Sequence, residues 1–146
     1  MDLRPIDTAR LDQLWELHRA YKEAIGEEAP SDEDREKLRA AMDEKRILFF
    51  GAWDDETLAG CCSVTVGFST FDYAPAGVFE DFYILPAYRH KGLARQLAET
   101  AFKASGVKTM TVGCADCDRN MYMAIGFKTP LGHFLAYAPA EEERHA

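Results

Sequence analysis

The densest chemistry in the chain lies in Arg89-His90-Lys91-Gly92-Leu93-Ala94, between an apolar run that ends at Pro86 and a stretch with helical spacing. The first turn of a helix has backbone N–H groups without intrahelical partners, and the macrodipole makes that end positive. Gly92 lets the backbone approach a ligand closely, Ala94 keeps the following turn unobstructed, and Arg89 and Lys91 add charge. Such a junction suits a pyrophosphate. It is neither of the two commoner phosphate motifs: a dinucleotide fingerprint needs three glycines and a P-loop needs Gly-Lys-Ser/Thr.

Cysteine offers a second kind of chemistry. Cys114-x-x-Cys117 has the spacing of a redox or zinc pair, and only Cys61 and Cys62 could complete four sulfur ligands. Those two are adjacent on a strand and therefore face opposite ways, so no metal is expected. Cys114 as an acyl carrier would need a base at hand, and nothing in the sequence directs His133 to it.

The elements that must position these residues follow from periodicity. Asp7 or Thr8 caps a helix carrying Leu11, Leu14, Trp15, His18, Tyr21 and Ile25 on one stripe, broken by Gly26 to Pro30. Ser31 with Asp34 opens a second helix to about Arg46, with Leu38, Ala41 and Met42 inward. Ile47–Trp53 and Leu58–Val66 read as a hairpin about the acidic turn at residues 54–56. A looser stretch, Gly67–Gly77, contains Phe68, Phe71 and Tyr73, which with Tyr21 are candidates to wall an acceptor pocket or to fill core. Val78–Leu85 is the next strand, ended by Pro86. A helix from Gly92 with Leu93, Leu97, Ala101 and Ala104 on one face stops at Ser105-Gly106. Val107–Val112 is a strand, residues 116–125 a short helix, and His133–Tyr137 a last strand. The order predicts a mixed α/β sheet, antiparallel first, with one strand–helix–strand crossover later. No repeat or linker divides residues 1–146, which read as a single domain ending in a solvated tail, Glu141–His145.

With 17 Lys and Arg against 25 Asp and Glu, the formal charge is −8, which disfavours nucleic acid and weakly favours cationic ligands. The acidic run Glu27, Glu28, Asp32 and Glu33 suits either a mouth that attracts amines or an ordinary wet surface. The start, Met1-Asp2-Leu3-Arg4-Pro5, has no signal-peptide character, and no stretch is apolar enough to span a bilayer. The expectation is a cytoplasmic protein with reduced thiols and no membrane partner.

Arg89-x-x-Gly92-x-Ala94 resembles the Arg/Gln-x-x-Gly-x-Gly/Ala coenzyme A loop of the GCN5-related N-acetyltransferase (GNAT) family. Glu80-Asp81-Phe82-Tyr83-Ile84-Leu85-Pro86 resembles the strand leading into that loop, Leu3-Arg4-Pro5 a common family start, and Tyr122-x-x-x-Gly126-Phe127 a further family motif. The resemblance spans nearly the whole chain, and it implies an acetyltransferase using acetyl-CoA, with helices flanking a mostly antiparallel sheet. Two central parallel strands, Val78–Leu85 and Val107–Val112, would splay to admit the cofactor.

Under that resemblance the amides of His90, Lys91, Gly92, Leu93 and Ala94 hold the pyrophosphate. The main chain of Phe82, Tyr83 and Ile84 holds the pantetheine arm, and the N–H near Ile84 polarises the thioester carbonyl. A free alkylamine with a pKa near ~10 must lose a proton before it attacks, so a base is required. Glu80 is the first choice, sharing a strand face with Phe82 and Ile84 by the period of two; Asp81, on the opposite face, is the reserve. Tyr122 is the general acid for the leaving thiolate. Many relatives place an asparagine seven residues before that tyrosine; here the position is Ala115, and the nearby Asn120 is the candidate replacement. The acceptor is a small-molecule or peptide amine, its identity open, and dimers are common among relatives. The rival reading is a non-catalytic acyl-CoA-binding module.

Overall fold

A computed structural model describes residues 1–140, so the tail at 141–145 lies outside the described residues. Strand β1 (Asp2–Ile6) leads through a single 3-10 turn, begun by the Asp7 carboxylate accepting from Ala9 N–H, into helix α1 (Leu11–Ala24). The helix buries Leu11, Leu14, Trp15 and Leu17. Ile25, expected on that stripe, falls after its last turn and is 48% exposed. Helix α2 (Asp32–Asp43) opens with the expected capping box: Asp34 N–H donates to the Ser31 hydroxyl, and Ser31 N–H to the Asp34 carboxylate.

Strands β2 (Ile47–Asp54) and β3 (Thr57–Ser69) form the predicted hairpin. The stretch expected to be loose is strand instead: β3 runs on to Ser69 and β4 (Ala74–Ile84) starts at Ala74, paired Ser69 to Ala74 and Phe68 to Pro75. Helix α3 (Leu93–Ser105) crosses over to β5 (Thr109–Thr111), burying Leu93, Leu97, Ala98 and Ala101 but leaving Ala104 exposed; Gly106 ends it at a left-handed φ of 75°. Helix α4 (Arg119–Ile125) follows another 3-10 turn.

The sheet order is β1-β2-β3-β4-β5, antiparallel except for the parallel β4–β5 pair. Two apolar layers sandwich it. One packs Phe49, Trp53, Leu58 and Cys61 with Leu11, Leu14 and Leu17 of α1; the other packs Phe50, Cys62, Val64 and Phe79 with Leu97 and Ala101 of α3. Cys61 and Cys62 thus do face opposite ways.

His133–Tyr137 is not a strand. Phe134, Leu135 and Tyr137 are 84%, 89% and 91% exposed, and β5, only three residues long, offers little edge to pair with.

Candidate active site

Where β4 and β5 part, the sheet opens. Their pairing covers only Ala76 to Thr109, Gly77 to Met110 and Val78 to Thr111, so from Phe79 onward β4 has no ladder partner on that side. Leu85 N–H donates to Ala59 O on the β3 side at 2.9 Å. Strand alternation therefore turns the N–H and C=O of Ile84 toward the open side. This is the splayed, half-unpaired strand that the family resemblance implies.

Within the open stretch β4 carries a bulge. Glu80 pairs with Ser63 and Tyr83 with Cys61, so Asp81 and Phe82 both lie opposite Cys62, and Asp81 adopts a left-handed φ of 51°. The extra residue resets the alternation. Phe79, Phe82 and Ile84 all join the α3 layer, whereas Tyr83 packs in the α1 layer. Glu80 lies opposite Ser63, and the Ser63 hydroxyl donates to the Asp81 carboxylate at 2.7 Å. The expected facing is thereby corrected: Glu80 does not share a face with Phe82 and Ile84, and Asp81 does not point away from Glu80. Both carboxylates lie on the α1 side.

Their surroundings are aromatic and partly dry. Trp15, His18 and Tyr21 of α1 stack in series, with ring centroids 5.7 Å and 6.1 Å apart, and Tyr21 meets Tyr83 at 6.1 Å. Burial and the neighbouring Asp81 charge push the Glu80 carboxyl up, with Lys22 opposing them. Burial also raises the Tyr21 hydroxyl, and the charges of Asp81, Glu27 and Glu80 add to it. Burial lowers His18 while Asp81 pulls it back, and its Nδ1 is buried without a hydrogen-bond partner. Ser63, which the sequence reading passed over, is the one buried polar side chain among the described residues. A hydroxyl inside the apolar run of β3 was the signal available for it.

Phe68, Phe71 and Tyr73 are not part of this site. They sit at the β3–β4 hairpin tip, 67%, 98% and 75% exposed. Glu80 lies six residues along β4 from the first strand position at Ala74, roughly 20 Å at strand rise. In the acidic run, Glu27 pairs with Lys22 at 3.0 Å and Glu33 with Lys37 at 3.7 Å.

Beyond Pro86 the chain makes a tight turn into α3. His90 and Gly92 have φ of 64° and 80°, and no side chain caps the helix end. Alternating left-handed residues ahead of an uncapped helix aim N–H groups at a common point, an anion nest. A Cβ on Gly92 would meet nothing in the protein, so the glycine serves that φ rather than clearance from the protein's own atoms. The Arg89 side chain turns back from the nest: its Nε–H donates to Ile84 O at 2.8 Å, and its guanidinium lies 5.4 Å from the Tyr83 ring centre. Lys91 Nζ lies 5.9 Å from the Tyr88 ring centre.

Tyr122 of α4 packs beside Phe82 at 6.4 Å and Phe127 at 6.1 Å. Burial pushes its hydroxyl up to about 12, with Tyr21, Asp118 and Cys114 adding to the rise. A cavity of about 1090 Å³ lies beside Tyr122, between α3, β5, α4 and residues 128–134; neither Glu80 nor Asp81 lines it. Asn120 is exposed in the first turn of α4. Cys114 and Cys117 are exposed free thiols.

Solved structures share this architecture. A probable acetyltransferase superposes with a TM-score of 0.81 at 22% identity over 95% of this chain and 97% of its own. An aminoglycoside acetyltransferase from an uncultured soil metagenomic sample, in complex with sisomicin, gives 0.81 at 13% identity over 94% and 95%. A predicted acetyltransferase with acetyl-CoA from Clostridium acetobutylicum gives 0.76 at 14% identity over 96% and 97%. Among curated proteins no sequence matches the chain. At these identities the likeness is one of fold. The family model for the acetyltransferase (GNAT) family, however, matches residues 11–127, which takes in α1, the bulged strand, the nest and the Tyr122 motif, and the chain belongs to that family of acetyltransferases.

Proposed function

We propose that the protein transfers the acetyl group of acetyl-CoA directly to a primary amine of a small molecule or peptide, within a ternary complex. The observation that carries this reading is the bulge: it sets Glu80 and Asp81 on one side of the opening between β4 and β5, with Ile84 N–H on the open edge and Tyr122 packed beside Phe82.

The cofactor pyrophosphate would rest on the amides of His90 to Ala94, and the pantetheine arm along the main chain of Phe82 to Ile84. Glu80, with its carboxyl raised, takes the amine proton directly or through a water, and Asp81, fixed by Ser63, is the reserve base. The amine nitrogen attacks the thioester carbon, Ile84 N–H stabilises the oxyanion, and the carbon–sulfur bond then breaks. Tyr122 stays protonated at neutral pH and donates to the departing sulfur. A phenol at about 12 is a weaker acid than a thiol near ~8.5, so its main effect is a hydrogen bond to the developing thiolate. The aminoglycoside acetyltransferase and the glucosamine-6-phosphate N-acetyltransferase from Arabidopsis thaliana among the structural neighbours accord with a small-molecule amine acceptor.

The test pairs calorimetric titration of acetyl-CoA with intact-protein mass spectrometry, before and after an amine panel is added. Direct transfer predicts tight cofactor binding, no acetylated enzyme with cofactor alone, and acetylated amine as product. A stable acetyl-enzyme that an amine then discharges would replace the ternary complex by a covalent route. Binding without turnover on any amine would favour a cofactor-binding module.

A further inference from the structure

Arg89 opens the basic turn, yet its side chain points away from the nest and caps the strand instead. From Phe79 to Ile84, β4 has lost its β5 partner, and the bulge at Asp81 loosens it further. On that unpaired edge, among the described residues, the contact made by Arg89 is a charge-assisted bond from Nε to Ile84 O at 2.8 Å. The guanidinium is held over the face of Tyr83, and Tyr83 in turn packs against Tyr21 of α1. Two backbone bonds, Tyr88 N–H to Leu85 O and Arg89 N–H to Pro86 O, fix the turn from which the side chain springs.

We propose that Arg89 is a positioning residue for the thioester, not a phosphate ligand. By holding the Ile84 carbonyl it fixes the end of the unpaired strand, and with it the Ile84 N–H that faces the same edge. The bond also ties the strand end to the nest, so the donor at the reacting carbonyl and the pyrophosphate amides move as one unit. This rests on the acetyl-CoA reading above, and in particular on Ile84 N–H as the oxyanion donor.

The chemistry of substitution separates the two roles. In glutamine the amide nitrogen is bonded to Cδ, as Nε is in arginine, so Arg89→Gln keeps a donor at that place and removes the charge. Arg89→Lys keeps the charge and moves the donor one atom further out. Arg89→Ala removes both. The measurement is the infrared stretch of the thioester carbonyl in acetyl-CoA isotope-labelled at that carbon, free and bound, in wild type and the three variants. Calorimetric affinities for acetyl-CoA and for acetyl-pantetheine, which lacks the pyrophosphate, accompany it.

The expected result is a downshift on binding in wild type and Arg89→Gln, with more than about half of it lost in Arg89→Lys and Arg89→Ala. Acetyl-CoA affinity should stay within about threefold throughout. The proposal is overturned if Arg89→Lys keeps the downshift and Arg89→Gln loses it. It is equally overturned if the downshift survives in every variant while acetyl-CoA affinity, but not acetyl-pantetheine affinity, falls about tenfold or more in Arg89→Gln and Arg89→Ala. A wild type that binds no acetyl-CoA, or binds it without any downshift, instead overturns the reading beneath the proposal and the proposal with it.

Discussion

In the proposed mechanism Glu80 receives the amine proton, so its surroundings are expected to leave a mark on the pH profile. Burial and the Asp81 charge raise the Glu80 carboxyl, so its basic form is lost at a higher pH than for an ordinary glutamate. Turnover should accordingly fall as pH drops through that raised value. Asp81→Asn removes the like charge and is expected to move the acid limb of kcat/KM to lower pH; Lys22→Met removes an opposing positive charge and should move it to higher pH. Profiles measured with one amine throughout cancel the titration of the acceptor itself. Limbs that stay in place in both variants would take the base role away from Glu80. At this scale the sequence was informative where chemistry is local. The tight turn at His90–Ala94 needs only a helix start, a glycine and its neighbours, all legible in order. Ser63 was not legible, because its role depends on a residue of the adjacent strand.

At the scale of the element, the bulge in β4 decides which side chains meet. The run from Phe79 to Ile84 has no glycine to announce an extra residue, and read at period two it puts Glu80 with Phe82. A clue remains: buried Phe79 and half-buried Phe82 pack in the same layer at a spacing of three, and between them stands an aspartate, a type that tolerates the left-handed region. Asp81→Val should cost about 1–3 kcal/mol more than Asp81→Asn in chemical denaturation, because a β-branched side chain is strained at φ 51°. Asp81→Gly should recover that difference while still lacking the carboxylate. Equal stabilities for Val and Asn would mean that the strand runs without the bulge. The opposite kind of miss occurs at His133–Tyr137, where a strand-like local pattern has no matching edge. Pairing is a tertiary event, and alternation alone does not supply a partner.

At the scale of the whole molecule, the field and the layers matter. The crossover order was legible because each period switch falls at a Gly or Pro: Pro86, Gly92 and Gly106 bracket the unit that makes β4 and β5 parallel neighbours. Those strands separate after Val78 and Thr111, a matter of tertiary pairing that no local window reports. The net charge of −8 should draw a cationic acceptor toward the carboxylates through long-range attraction that salt screens. For a polycationic amine, KM is expected to rise several-fold between about 0.05 and about 0.5 M salt, with kcat nearly constant. A neutral or anionic amine should show no such rise. A salt-independent KM for the polycation would remove the field from the account of specificity.

The most direct test of acetyl transfer by this site is thiol release from acetyl-CoA across an amine panel, comparing wild type with Glu80→Gln and Tyr122→Phe. Cofactor affinity is measured on the same samples. The expected result is amine-dependent release by wild type, a fall in kcat of about 100-fold or more for Glu80→Gln and at least about tenfold for Tyr122→Phe, and cofactor affinity little changed in both. Both variants turning over at the wild-type rate, or a wild type that does not bind acetyl-CoA, would contradict it.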